Sequence, residues 1–201
     1  MWAELKRRYE GRVEFQWQIA KMQLADWPAS REQCEWFYRR SGTIVRSPFM
    51  LNSGWFDPVT TDTYPAASSV AEAAKDFGFT GDEIRLALSH ASEREGRKVG
   101  RMDVAVAVAA KAGGKKLNAK QLRAAAESSA VAARIAASTK EFFAHQITQR
   151  PAFVITDDIG DKAVFSGLVK IEPLAATIDA MLADVAAYAS FKAHFGGPPA
   201  H

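Results

Sequence analysis

From residue 66 to residue 146 the apolar residues of this chain, many of them alanine, recur at the period of a helix, whereas Arg12–Ala20 and the stretch after Pro151 alternate with a period of two. The order is helix, strand, all-helical block, proline, hairpin, helix. Such an order reads as an α/β arrangement in which the helical block is an insertion between two halves of one domain. It predicts a first domain from residues 1–60 and 147–201 and an inserted helical domain over 61–146.

At the N-terminus Trp2, Leu5 and Tyr9 stand at helical spacing, and Gly11 is well placed to end that helix. From Arg12 to Ala20 the chain alternates, with Val13, Phe15, Trp17 and Ile19 on one side and Glu14, Gln16 and Gln18 on the other. That is the pattern of a strand with one buried face. Pro28 and Ser30 lead into a short helix, Arg31 to Arg40, whose Trp36 and Phe37 are expected to turn inward. Ser41 to Pro65 is rich in Gly, Pro, Ser and Thr without a clear period and reads as an irregular, anchored loop. Trp17, Trp27, Trp36, Phe37, Trp55 and Phe56 surround the irregular region 20–60 and read mostly as core or lining.

Within the helical block the period predicts helices at about 65–77, 82–95, 101–112, 119–128 and 130–146. Thr80-Gly81-Asp82-Glu83 fits a capping box, and Asn118 can cap the fourth helix. After Pro151, Phe153 and Ile155 point one way and Ala152, Val154 and Thr156 the other. Lys162 to Ser166 is close enough to pair back through the turn Asp157 to Asp161. Pro173 then opens a long helix. Its apolar face, from Leu174 through Ile178, Met181, Leu182, Val185 and Tyr188 to Phe191, is expected to cover one side of a sheet.

Composition narrows the function classes. The 201 residues are 48% hydrophobic and 24% charged, with a formal net charge of +3, values of an ordinary globular protein. No apolar stretch reaches spanning length without charges, and Met1 to Arg8 lacks the apolar core of a secretory signal, so neither a membrane helix nor export is expected. Lys111, Lys115 and Lys116 flank Gly113-Gly114 as a solvated loop, without the basic and aromatic stripe of a nucleic-acid surface. The single cysteine, Cys34, excludes a disulfide within the chain. It reads as a buried structural thiol in a reducing compartment, most simply the cytoplasm. His90, His145, His194 and His201 have no metal-ligand spacing. Asp157, Asp158 and Asp161 read as turn chemistry rather than a calcium loop, and Glu93 and Glu95 as part of a charge-compensated helix end.

Three stretches in this order carry a family resemblance: "LKRRYEGRVEFQW" as helix then strand, "EREGRKVGRMDVAVAVAAKAG…LNAKQLRAAAES" as helical insertion, and "QRPAFVITDDIGDKAVFSGL" followed by the terminal helix. The chain resembles, over nearly all its length, the DsbA-like branch of the thioredoxin superfamily. That group includes disulfide oxidoreductases, 2-hydroxychromene-2-carboxylate isomerases and kappa-class glutathione transferases. The resemblance implies a thioredoxin-like α/β fold with an inserted all-helical domain. It also implies a cis-proline beside the site, here Pro151, with Arg150 before it and Ala152 after it as substrate-binding residues. In the family the backbone there pairs with an extended substrate or with glutathione. Arg150 and Ala152 depart from the small aliphatic residue and threonine that the family more often places around this proline.

The family begins with a strand and a CxxC or serine variant at a helix N-terminus. This chain opens within that helix, as expected of a truncated sequence, so the resemblance predicts a thioredoxin-like fold lacking its first strand. Arg12–Ala20 and Phe153–Ile155 would then border a vacant slot. A shift of the second strand against the hairpin, Gly42–Leu51, or a partner chain, for instance a homodimer completing the sheet, would fill it. The activity implied is thiol–disulfide exchange that this chain, without a dithiol, does not perform alone. The alternatives are a glutathione-dependent isomerase or transferase and a non-catalytic ligand- or protein-binding module. The expected ligands are a thiol or disulfide substrate or a small thiol conjugate. No fixed cofactor is expected beyond glutathione or another low-molecular-weight thiol, and no metal, nucleic acid or membrane.

Overall fold

The computed structural model describes residues 1–21, 30–45, 54, 57, 66–167 and 170–197. It is mixed α/β and mostly helical, with a two-stranded antiparallel sheet among these residues. The chain forms two compact units, one from residues 1–15 and 143–201 and the other from 16–142. The first boundary thus falls at Phe15, not near residue 60 as the composition suggested.

In the first unit α1 (Trp2–Arg8) and the residue after it place Leu5 and Tyr9 one turn apart, and both are buried. Gly11, at φ 71°, lets the chain turn sharply after this helix. Leu5 and Tyr9 pack with Leu174, Ala175 and Ile178 of α8 (Ile171–Phe195), and Phe153, Ile155 and Phe165 close over this core from the hairpin. The hairpin is β1 (Ala152–Thr156) and β2 (Lys162–Ser166), with Phe153 opposite Phe165 and Val154 opposite Val164. As the alternation predicts, Phe153 and Ile155 take the core face, and Val154 and Val164 stand on the other face, 40% and 41% exposed.

The terminal helix differs from expectation. Leu174, Ala175, Ile178 and Met181 are buried, but Tyr188, Phe191 and Phe195 are 63%, 60% and 68% exposed. Its apolar stripe outruns the surface it covers, because 25 residues of helix at about 1.5 Å each are longer than the five-residue strands of the hairpin. By length and composition alone this helix is also apolar enough to cross a membrane.

The second unit is built on α3 (Ala66–Ala74), which packs against α4 (Glu83–Glu93), α5 (Met102–Gly113) and α6 (Ala119–Ala126). Val70, Ala73 and Ala74 are fully buried there with Ala105, Ala109, Leu122 and Val131. The alanines let helix axes approach closely, and the larger Ile84, Leu88, Val99 and Ile135 fill the spaces between. Side chains begin three helices. Asn118 accepts from the Gln121 amide at 3.1 Å in α6, Ser128 from Val131 at 3.3 Å in α7 (Ser129–Ala144), and Ser30 from Gln33 at 3.2 Å in α2 (Arg31–Val45). The capping box does not form: Asp82 precedes α4 and no side chain caps its amides.

Two further expectations are corrected. The helix at Arg31 runs to Val45, five residues beyond Arg40, and turns Cys34 and Ser41 inward while Trp36 and Phe37 are 65% and 47% exposed. Positions 34, 38 and 41 share one face at 3.6 residues per turn; 36 lies on the opposite side of the helix and 37 at the margin of that face. Trp27, Trp55, Phe56, His201 and most of Gly42–Leu51 lie outside the described residues.

The second correction concerns Arg12–Ala20. The alternation of burial is as expected, with Val13, Phe15, Trp17 and Ile19 half-buried and Glu14, Gln16 and Gln18 exposed. Yet this segment joins no ladder among the described residues. Its backbone near the helices is engaged by side chains instead. Lys75 Nζ donates to the Trp17 carbonyl at 3.1 Å, Ser138 Oγ to the Ile19 carbonyl at 2.6 Å, and the Lys21 amide to Thr139 Oγ1 at 2.9 Å. The Trp17 indole donates to the Thr80 and Gly81 carbonyls, both at 2.9 Å. Main-chain groups accept any good partner, and here helix side chains supply it.

The helix α7 ends at a non-glycine residue with positive φ: Gln146, at 57°. The left-handed region costs an L side chain about 1–2 kcal/mol, so Gln146→Gly is expected to raise stability by up to about 1 kcal/mol, net of the added freedom of the unfolded chain. A thermal-unfolding midpoint that falls in this variant would contradict that reading.

Candidate functional site

The loop Thr148–Ala152 joins the end of α7 to β1 and is clamped to the end of β2. Ile147, just before it, is buried. The Gln149 amide donates to Ser166 Oγ at 3.2 Å, and the Gly167 amide donates to the Pro151 carbonyl at 3.0 Å. Gly167 has φ 94°, and a Cβ there would stand 3.3 Å from Gln149 Cβ, so the strand leaves through a gap that suits glycine. Between these clamps the Arg150–Pro151 peptide is cis. Arg150 and Ala152 are half-buried and Pro151 is exposed. The three site residues expected from the sequence therefore lie side by side at the start of β1.

The hairpin register determines what this start presents. The bond from Gly167 to Pro151 and the bond from the Asp157 amide to the Asp161 carbonyl (3.2 Å) set the parity of the ladder. With that parity the hydrogen-bonded pairs are 153 with 165 and 155 with 163. Ala152, Val154 and Thr156 then direct their N–H and C=O groups away from β2, along the outer edge of β1. This edge carries no charge and no proline within Ala152–Thr156, the features with which proteins usually discourage strand pairing. It can bind an extended chain by main-chain hydrogen bonds, and Arg150 precedes it in the chain.

The acidic turn has a structural occupation. Asp157 Oδ1 accepts from the amides of Ile159, Gly160 and Asp161 at 3.1, 3.0 and 2.9 Å. One carboxylate oxygen thus holds the turn closed, as its residue type suggested. Among the described residues no group of three or more histidine, cysteine and acidic side chains is placed to hold a metal. His145 is half-buried at the end of α7, His194 is exposed on α8, and His90 lies 3.1 Å from a Glu95 carboxylate oxygen. Cys34 is a buried thiol in no disulfide, 2% exposed, in the helical unit.

Two polar groups in that unit escaped the sequence reading. Tyr38, one turn after Cys34 on α2, has its hydroxyl pKa pushed well above the usual value by burial, then by the charges of Glu93 and Cys34. Glu72 is 5% exposed in the last turn of α3. Its carboxylate meets Lys75 at 2.8 Å and Arg134 of α7 at 3.0 Å, and Arg134 also reaches Asp76 at 3.0 Å. The signal for Glu72 was present: a lone charge inside "AASSVAEAA" has to find a cation.

No family model matches the chain, and no curated protein matches it.

Proposed function

We infer that the chain is a thioredoxin-like protein of the DsbA-like branch that binds an extended thiol or disulfide ligand along Arg150, Pro151 and Ala152 and does not perform thiol–disulfide exchange by itself. The observation that carries this reading is the uncharged outer edge of β1, which begins just after the Arg150–Pro151 bond. Main-chain pairing along such an edge supplies affinity without regard to sequence, and alternate side chains supply selectivity. Further support comes from the element order, in which the proline, hairpin and terminal helix follow an all-helical block. Exchange needs an attacking thiolate and a second thiol to resolve the mixed disulfide. The chain has one cysteine, and it is buried.

A second reading within the same superfamily is favoured by Arg150 itself. A glutathione-dependent isomerase or transferase binds a ligand with two carboxylates, for which a guanidinium is the best single partner. Both readings predict binding of glutathione or of a thiol-bearing peptide, measured by calorimetry, and no insulin reduction above the uncatalysed rate. Arg150→Ala is expected to weaken glutathione binding about tenfold, the size of one charge-assisted contact, with Arg150→Lys falling between. Insulin reduction by this chain would sink the claim of redox inactivity. Failure to bind either glutathione or a thiol peptide would leave a plain interaction module.

A further inference from the structure

We propose that the exposed end of α8 is a self-association surface, on which two copies of this chain pair as antiparallel helices about a two-fold axis at Tyr188. Tyr188, Phe191 and Phe195 stand at spacings of three and four, so they form one stripe, and Phe191 and Phe195 already stack with centroids 4.7 Å apart. The stripe continues the one that buries Leu174, Ile178 and Met181 in the first unit. The helix therefore carries the core's own apolar face past the core's end and leaves it in water.

The charges on the helix select the occupant. Asp184 and Lys192 lie four residues to either side of Tyr188, on the same half of the helix as the rings. An antiparallel copy centred on Tyr188 brings Asp184 of each to the axial level of Lys192 of the other and opposes the two helix dipoles. A parallel copy sets like charges level with each other. A lipid surface fits less well. The side opposite the rings is Ala183, Ala186, Ser190 and Ala193, whereas a helix that lies in a membrane interface carries lysine and arginine there. The two-fold pairing also meets the requirement that each surface be its own complement.

The area sets the strength. With these exposures the three rings offer roughly 400 Å² per copy, hence roughly 800 Å² for the pair, below the range of stable complexes. The dimer is accordingly weak, with a dissociation constant of about 10–100 µM.

Sedimentation velocity on the full chain from about 5 to 500 µM is expected to show a reversible monomer–dimer equilibrium in that range. Phe191→Asp is expected to raise the dissociation constant at least about tenfold. Because residue 191 is solvent-facing, circular dichroism of this variant should match the parent, which separates lost association from lost folding. Orientation is read with spin labels on Gly197→Cys in a Cys34→Ser background, since a side chain at 197 meets no atom within 4 Å. Antiparallel pairing places these labels roughly 30 Å apart, and parallel pairing roughly 10–15 Å. A monomer at every concentration, a dimer that Phe191→Asp leaves intact, or the short label distance each overturns the proposal. So does a monomer that partitions onto anionic phosphatidylserine vesicles through the same residues.

Discussion

Tyr9→Ala is expected to destabilise the first unit by about 3–5 kcal/mol, the cost of deleting a large aromatic ring from a closed core. Tyr9 is fully buried against Leu5, Leu174, Ala175 and Ile178, and its hydroxyl donates to the Ala175 carbonyl at 2.9 Å. Removing the ring therefore opens a cavity between the first helix and the last, elements 166 residues apart in sequence. Tyr9→Phe keeps the ring and deletes one hydrogen bond, at an expected cost of about 0.5–1.5 kcal/mol. The pair of variants, followed by urea unfolding with tryptophan fluorescence, separates packing from hydrogen bonding. Equal losses in both would mean that the ring contributes nothing and would overturn this account of the core.

The same hydroxyl makes stability fall at high pH. Burial raises its pKa above the usual 10, with Asp179 adding to the shift and Arg8 and Arg12 opposing it. The unfolded chain then releases its proton first. The contribution of Tyr9 is fully present below about pH 10 and declines as pH rises toward the higher folded value. Tyr9→Phe should remove that part of the alkaline slope, so that below about pH 10 the variant differs from the parent only by the constant cost of the lost hydrogen bond.

The second large effect is expected at Gly54. A Cβ built there meets the Arg97 carbonyl oxygen and comes within 2.7 Å of Ser92 Cα and O. All three are backbone atoms, and Gly54 itself donates its amide to the Ser92 carbonyl at 3.2 Å. No rotamer change can relieve such contacts. Gly54→Ala must therefore separate this residue from the end of α4, at a cost of about 1–3 kcal/mol or more. Gly197→Ala, with no atom within 4 Å, serves as the control and should lie within about 0.5 kcal/mol of the parent. Comparable thermal midpoints for the two variants would show that the close approach at Gly54 is not a constraint.

Much of the local structure was legible. Except that α3 ends at Ala74, three residues short, the helices of the inserted block lie within about two residues of their expected bounds, because alanine-rich periodicity, Asn118 as a cap and glycines as stops act within a few residues of chain. The hairpin and its faces were equally readable from Phe153, Ile155, Val154 and the acidic turn. The candidate site was legible only as a stretch of sequence around Pro151. What it presents, an outward row of main-chain groups from Ala152, Val154 and Thr156, depends on the ladder parity set by Gly167 and Asp161. Trp36 and Phe37 are exposed although hydrophobic, because the buried face of α2 is set by Cys34 and Ser41, with position 36 opposite it and 37 at its margin.

Covalent spacing alone decided where this chain is helical, where it alternates, and that Val13, Phe15, Trp17 and Ile19 share a side. It also decided, through the cysteine count, that no disulfide can form within the chain. Tertiary structure decided which partners those elements find. The alternating segment joined no ladder among the described residues, since Lys75 and Ser138 reached the Trp17 and Ile19 carbonyls and Thr139 the Lys21 amide. Likewise one apolar stripe on α8 became core at Leu174 and open surface at Phe195. Periodicity assigns a side chain to a face, but the hydrogen bonds and the burial of that face come from residues more than fifty positions away.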